Sequence, residues 1–447
     1  MQGLTLSELH AAYKQGLLRP SGVLEQALEH ASLSPAGVFI CLLTERAKQE
    51  AQASDRRWKQ GAPLGPLDGV PVVWKDLFDV QGVSTTAGSE LRRHAPPALK
   101  DAFAVQALTN AGVVNLGKTG LSEFAYSGLG MNPHYGTPPN PLSQDGVRAP
   151  GGSSSGSAVA VSSGIAALGM GTDTGGSVRI PAAFQGLVGY RPSSQRLNKS
   201  GVYSLSRTLD DIGPIARTVD DCALVDALLR GQKPSPVVPI PSGALRIAVP
   251  TNLVFDAAEP EVLECFSALM QCLKNAGINI EQRRMPVLDE LQRLTELHGT
   301  ITAAEAYQRH KEIVDGPDAS RIDRRVLARL QRGRSMSALD LQVLMDRRVR
   351  MQTELREMLD GAWLLMPTVV HVAPLVAPLD ADDKKFNQMN LRTLRNTSIG
   401  NFFDLCGISL PMGIGKANMP LGVLVSGPSG SDEALFCAAA AVAHCLK

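Results

Sequence analysis

Residues 149–191 read APGGSSSGSAVAVSSGIAALGMGTDTGGSVRIPAAFQGLVGYR, a stretch in which most side chains are no larger than valine. Glycine costs backbone entropy on folding and small side chains bury little apolar area, so such a run needs a reason. Two readings are open: a flexible linker, or a set of tight turns that surround a reacting group. The texture favours the second, because the segment is not of low complexity. SAVAVSSGIAAL reads as a small-residue helix, GMG as a strand end, TDTGGS as a loop, and VRIPAAF as the start of a further element.

The rest of the chain is ordinary for a globular protein: 447 residues, 44% hydrophobic and 19% charged, enough for one large core or two smaller ones. Lys plus Arg number 44 against 43 Asp plus Glu, so the net charge of +1 supplies no broad field for a polyanion, and nucleic acid is not an expected partner. The 7 cysteines are odd in number and lack CxxC spacing, which argues for free thiols rather than a disulfide framework or a metal cluster. The first residues carry charges where a signal peptide needs an unbroken apolar core, and no run is long enough to span a membrane. The expectation is a cytoplasmic protein without membrane attachment.

Residues 4–56 read as helices. PLGPLDGVPVVWKDLFDV then combines turn residues with a short β-branched run, the pattern of a buried strand with Lys75 near its end. DAFAVQALTNAGVVNLGKTG gives a helix followed by the strand VVNLG. The proline-rich GQKPSPVVPIPSGAL (231–245) is a domain linker or a surface connection, and it precedes the strand RIAVP and the amphipathic helix EPEVLECFSALMQCLKNAG. Residues 300–360 look helical and highly charged, and the last 80 return to short strands among loops. Strands alternating with helices predict an α/β architecture, a central sheet covered on both faces. The arginines of SRIDRRVLARLQRGRS (320–335) read as a solvated helical face, with carboxylate binding as the sharper alternative.

Two motifs match well-known patterns without their context. GVVNLGKT (112–119) satisfies GxxxxGK[ST] letter for letter, yet its variable positions look like a strand where a phosphate loop is required. Nucleotide binding stays only as a remote alternative. GSSSG (152–156) matches the GxSxG nucleophile elbow with Ser154 at its centre, but polar SQDGVRAP precedes it where a hydrophobic strand belongs. His298, His310, His371 and His444 are the histidines that such a serine would have to recruit.

A more coherent constellation lies in GTDTGGSVRIPAAF (171–184). Adjacent glycines and a serine at a helix start leave backbone N–H groups aimed at one point, an arrangement suited to an oxyanion. The donors would be the amides of Thr174, Gly175, Gly176 and Ser177, with Ser177 an acyl-accepting nucleophile beside its own oxyanion hole. A base is needed, and no histidine is near in sequence. Lys75, at the end of an apolar strand, would be brought by burial from about 10.4 to near 7 at a cost of roughly 4–5 kcal/mol. The bland alternative for Lys75 is a snorkelling lysine paired with Asp76 or Asp79.

Taken in order, these segments resemble the amidase signature family. The match runs from the glycine pair Gly151–Gly152 through SSSGSAVAVSSGIAALGMGTDTGGSVRIPAAFQGLVGYRPS. It extends upstream through PLDGVPVVWKDLFDV, TTAGSE, AGVVNLGKTGLSEFAYS and NPLSQDGVRAPGGSS, and downstream through TLDDIGPIARTVDDCALV and LRNTSIGNFFDLCGISLPMG. The resemblance implies that family's α/β fold, a central mixed sheet with helices on both faces. It implies one domain over 1–447, with N-terminal helices (1–56), a signature core (60–230) and a C-terminal part (245–447) completing sheet and pocket.

The resemblance also implies an amidohydrolase for linear amides that works through a Ser, cis-Ser, Lys triad without metal or cofactor. Mapped by motif, Ser177 is the nucleophile, Ser153 the relay serine preceded by a cis peptide bond, and Lys75 the base. Asp173 and Arg179 would hold the backbone of the nucleophile loop, and Thr172 and Ser155 could hydrogen-bond the triad. The turn YSGLGMNP (126–133) makes Gly128 and Met131 candidates for substrate contact, with Ser155 and Gln185 as further ones. Trp74 and Gln185 are departures that could shape specificity. Among the family's activities a free-standing amidase is the expected one, acting on a small-molecule amide. The A subunit of a glutamyl-tRNA amidotransferase, dependent on partner subunits, is the alternative, and a homo-oligomer is compatible with either.

Overall fold

The structure is a computed structural model that describes residues 3–446. Eleven strands build one mixed sheet: β1 Phe39–Leu42, β2 Pro71–Lys75, β3 Val114–Thr119, β4 Leu168–Asp173, β5 Val188–Arg191, β6 Asp211–Ala216, β7 Arg246–Pro250, β8 Asn279–Arg283, β9 Trp363–Pro367, β10 Cys406–Ile414 and β11 Pro420–Gly427. Their spatial order is β1-β3-β2-β4-β6-β5-β10-β11-β9-β7-β8. β2 runs parallel to both β3 and β4, and β7 parallel to both β8 and β9, while the remaining pairs are antiparallel.

Every residue of β2, β3, β4 and β6 is buried, so helices cover both faces of the sheet's first half, as the continuous apolar run PVVW requires. The outer strand β8 is polar and largely exposed, with Asn279, Glu281 and Gln282 open to solvent, a composition that discourages edge-to-edge pairing. The architecture is the expected α/β one.

Differences in detail have local causes. The N-terminal region holds the expected helices, Leu6–Lys14, Pro20–Ser32 and Thr44–Lys59, but a four-residue edge strand, β1, interrupts them. The proline-rich stretch is a surface connection rather than a linker, because β7, which follows it, joins the same sheet beside β9. GVVNLGKT is mostly strand β3, and no phosphate loop forms there. Lys118 is buried, with its Nζ 2.5 Å from Asp76 Oδ1 and donating to Thr85 Oγ1 at 2.9 Å.

The small residues of the signature stretch are explained by close packing. Ser153, Ser154, Ser155 and Ser157 are fully buried, which excludes a linker. The helix Ser155–Ser162 lies so close to the turn after β3 that a Cβ on Gly156 would overlap the backbone of Val38 and Gly120. Its hydroxyls are satisfied locally: Ser157 Oγ lies 2.7 Å from Thr119 Oγ1 and donates to the Met170 carbonyl at 3.0 Å.

Candidate active site

Side chains alternate across a strand, so Trp74 and Lys75 at the end of β2 face opposite sides of the sheet. Trp74 packs in the main core against Phe78, at 5.3 Å between ring centroids, and donates its indole N–H to Asn115 at 2.8 Å. It therefore does not shape the site. Lys75 points the other way, fully buried, with Nζ 2.6 Å from Ser153 Oγ and 2.7 Å from Thr172 Oγ1 on the neighbouring β4. Neither Asp76 nor Asp79 pairs with it; Asp76 takes Lys118 instead. Burial lowers the Lys75 pKa from 10.5 to about 7, against the opposing pull of the carboxylates of Asp210 and Asp173. The amine is thus partly neutral at physiological pH. The Gly152–Ser153 peptide bond is cis.

Ser177 sits in the turn after β4, and its carbonyl accepts the Ser154 N–H at 3.2 Å, which ties the two serine-bearing loops together. The loop is held by Asp173, whose carboxylate accepts the N–H groups of Gly176 at 2.9 Å and Val178 at 3.2 Å. Arg179 grips the same carboxylate through Nη2 at 2.8 Å and Nε at 3.0 Å, and Asn401 adds a further donor at 3.0 Å. Burial alone would raise the Asp173 pKa; the Arg179 charge and these hydrogen bonds hold it well below the usual carboxylate range. Asp173 and Arg179 hold the loop, as expected. The Gly176 N–H is committed to Asp173, so of the four expected oxyanion donors, the amides of Thr174, Gly175, Gly176 and Ser177, it is already engaged.

Gly176 has φ +125°, a region L-residues avoid, and a Cβ there would overlap Thr397 Oγ1. Gly176→Ala is expected to lower turnover at this site at least about 100-fold and to reduce stability by about 1–3 kcal/mol, the usual cost of one strained backbone site. Thermal unfolding and steady-state kinetics check both, and a fully active variant would show that the loop relaxes freely.

Ser177 and the amide loop border a cavity of about 720 Å³. Lys75 and Ser153 are not part of its wall. The expected substrate contacts mostly fall elsewhere. Met131 is buried among Leu129, Ala149, Leu379 and Phe386. Ser155 Oγ donates to the Gly120 carbonyl at 3.3 Å, away from Lys75 and from the cavity. Gln185 braces two segments, donating to the Pro150 carbonyl at 3.0 Å and accepting from Ser162 at 2.9 Å. Gly128 lies behind the wall: its N–H goes to Asn390, and a Cβ would meet the wall residue Leu394 at 3.1 Å. Their neighbours Ala125, Tyr126 and Ser127 line the cavity instead.

Ser154 is equally displaced from the elbow role, since it is fully buried and its hydroxyl faces the Thr172 carbonyl at 3.4 Å. The four histidines are engaged elsewhere: His298 with Asp340, His310 with Tyr203, His371 with Thr393 and His444 with the Ala440 carbonyl.

Three contributors escape a reading of the sequence. Asp210 accepts Thr174 Oγ1 at 2.6 Å and acts on Lys75 through its charge. Thr397 and Asn401, on the helix Asp383–Phe402, bind the Gly175 carbonyl and Asp173 respectively. That helix buries Asn390, Thr393, Thr397 and Asn401 at helical spacing, so its inward face is polar and a search for apolar periodicity passes over it.

The chain matches the Amidase family over residues 23–436. It belongs to that family. It is 33% identical to the 2-amino-5-chloromuconic acid deaminase of Comamonas testosteroni, over 97% of this chain and 94% of the relative. It is 38% identical to the A subunit of the glutamyl-tRNA(Gln) amidotransferase of Anaeromyxobacter dehalogenans, over 56% of this chain and 53% of that one. A solved amidase structure superposes with a TM-score of 0.86 at 28% identity, over 99% of both chains. As a member of the Amidase family the protein is an amidohydrolase acting on C–N amide bonds. Among the described residues no helix is long and apolar enough to cross a membrane.

Proposed function

We propose that Ser177 is the nucleophile of a free-standing amidase, with Ser153 as proton relay and Lys75 as base. The observation that carries the reading is the buried Lys75 amine, with a pKa lowered to about 7 and 2.6 Å from Ser153 Oγ, on a serine loop that the Ser154 N–H ties to the Ser177 carbonyl. Neutral Lys75 takes the Ser153 hydroxyl proton as Ser153 takes that of Ser177, and Ser177 Oγ attacks the amide carbonyl. The developing alkoxide is met by the amides of Thr174, Gly175 and Ser177. Collapse breaks the C–N bond as the relayed proton reaches the leaving nitrogen. Water then attacks the Ser177 acyl ester by the same relay and releases the acid. Thr172 holds Lys75 from the other side and keeps the amine aimed at Ser153.

The test is peptide mass spectrometry after treatment with a fluorophosphonate, together with ammonia release from small amides. An adduct is expected on Ser177 and lost in Ser177→Ala, while Ser153→Ala retains slow turnover. An adduct on Ser154, or amide turnover that survives Ser177→Ala, would refute the assignment.

Similarity to the A subunit of the amidotransferase supports a second reading, in which the same triad releases ammonia from glutamine within a complex. Glutamine hydrolysis only in the presence of a partner protein would favour it; turnover of simple amides by the isolated chain favours the first.

A further inference from the structure

Arg329 breaks a rule that the rest of the fold obeys. Five arginines are buried among the described residues, and four hold a carboxylate: Arg148 with Asp145 at 2.6 Å, Arg179 with Asp173 at 2.8 Å, Arg191 with Asp211 at 2.7 Å and Arg325 with Asp323 at 2.8 Å. Arg329, only 9% exposed on the helix Arg324–Arg334, forms no ion pair among those residues, and its Nε is buried without an acceptor. Its guanidinium lies 4.4 Å from the centroid of the Tyr126 ring, which supports the cation from one face and leaves its in-plane donors unused. A charged group is seldom buried unpaired, because its lost hydration is then uncompensated.

The surroundings say what the missing partner is. Arg329 and Tyr126 line the same cavity as Ser177, and so does Arg332, one turn further along the helix and exposed. The carboxylates on that wall, Asp256 and Glu296, are exposed and neither is paired with Arg329. Much of the wall around them is aliphatic, including Leu205, Leu209, Leu394 and Ile399. Of the arginines on this wall, Arg329, Arg332, Arg392 and Arg395, only Arg329 is buried, so the cavity offers a nucleophile, an apolar passage and one buried, unpaired planar cation.

We propose that Arg329 is the receptor for a substrate carboxylate, so that the amide cleaved at Ser177 is borne by an organic acid whose carbon chain spans the aliphatic wall. A planar guanidinium fork matches a carboxylate better than any neutral group, and desolvation by the cavity strengthens the pairing. This rests on the amidase reading of Ser177. It also corrects the sequence-level view of the 320–335 arginines: Arg321, Arg324, Arg332 and Arg334 are solvated, Arg325 is a paired structural residue, and Arg329 turns into the cavity.

The experiment measures kcat and KM for ω-amide monocarboxylates with one to four methylenes between the two groups, each against the neutral alkanamide of the same length. The full-length protein is used as wild type, Arg329→Met and Arg329→Lys. Wild type is expected to favour at least one acid over its neutral counterpart by tenfold or more. Arg329→Met should reduce that preference by about 10- to 100-fold, the usual effect of removing a charged hydrogen-bond partner, chiefly through KM. Arg329→Lys should keep part of it. A wild-type preference near unity at every length overturns the proposal without needing any variant, as does an Arg329→Met variant that slows acids and neutral amides equally. Fluorophosphonate labelling of wild-type Ser177 separates the two levels: labelling with no preference for acids sinks only the carboxylate receptor, whereas neither labelling nor turnover sinks the amidase reading and this one with it.

Discussion

Replacing Lys75 by methionine should remove catalysis and leave a protein at least as stable as the wild type. On the proposed mechanism the loss of the base lowers kcat/KM by about 10²- to 10⁴-fold, the range general bases supply. Stability moves the other way. Holding the Lys75 pKa at about 7 instead of 10.5 disfavours the protonated form by roughly 4–5 kcal/mol, which methionine of similar volume relieves. Leaving the Ser153 and Thr172 hydroxyls without their partner returns about 1 kcal/mol each, so the net gain near pH 7 is roughly 2 kcal/mol.

The pH dependence provides a sharper check. Between about pH 7 and 10.5 the unfolded chain binds the Lys75 proton and the folded chain does not. Wild-type stability therefore climbs relative to the variant by about 1.4 kcal/mol per pH unit across that window. Denaturant unfolding of both proteins at pH 6 and pH 9 measures this; parallel behaviour would mean that Lys75 titrates normally. Wild-type kcat/KM should rise with pH to a plateau with an apparent pKa near 7.

Breaking the buried Asp173–Arg179 pair should cost the most stability. Arg179→Met leaves the Asp173 carboxylate sealed in the core with only backbone and Asn401 donors, a loss of about 3–5 kcal/mol. Turnover falls as well, since Asp173 positions the Gly176 and Val178 amides on either side of Ser177. Adding Asp173→Asn to the same chain should recover part of the stability but not the activity. The Asp173 pKa is depressed below its ordinary 3.8, so its contribution is present above about pH 4 and is lost as pH falls through the folded-state value. Denaturant unfolding at pH 7 decides the matter, and an Arg179→Met variant within 1 kcal/mol of wild type would refute the pairing argument.

The legible parts share one property: their signal is local. PVVWK is readable as a strand because burial on both faces demands an unbroken apolar run, and the lysine that ends it is conspicuous for being the wrong chemistry. The GTDTGGS turn is readable because positive φ at Gly176 leaves its mark in residue type. β1 is not readable, because an edge strand of four half-buried residues between helices carries too little pattern. The helix Asp383–Phe402 is hidden because its core face is rich in asparagines and threonines, of which Thr397 and Asn401 serve the nucleophile loop. The cavity wall departs from the expected contact residues: within 125–131 the sequence identifies the turn, but the chain's path decides that Tyr126 and Ser127 face the cavity while Met131 faces a core.

By itself, then, the sequence determined most of the strands and turns and, through its motifs, the family, and it singled out Lys75, Ser153 and Ser177 as candidates for the chemistry. The tertiary structure alone decided that Lys75 reaches Ser153 and Thr172, which lie 78 and 97 residues away. It alone decided that Gly176 spends its amide on Asp173, and that one arginine of a basic helix turns inward without a carboxylate. The physical reason is that a pKa or an ion pair depends on what surrounds a group in space. Propensity and periodicity are set by neighbours along the chain, and they carry no record of which distant side chain completes the shell.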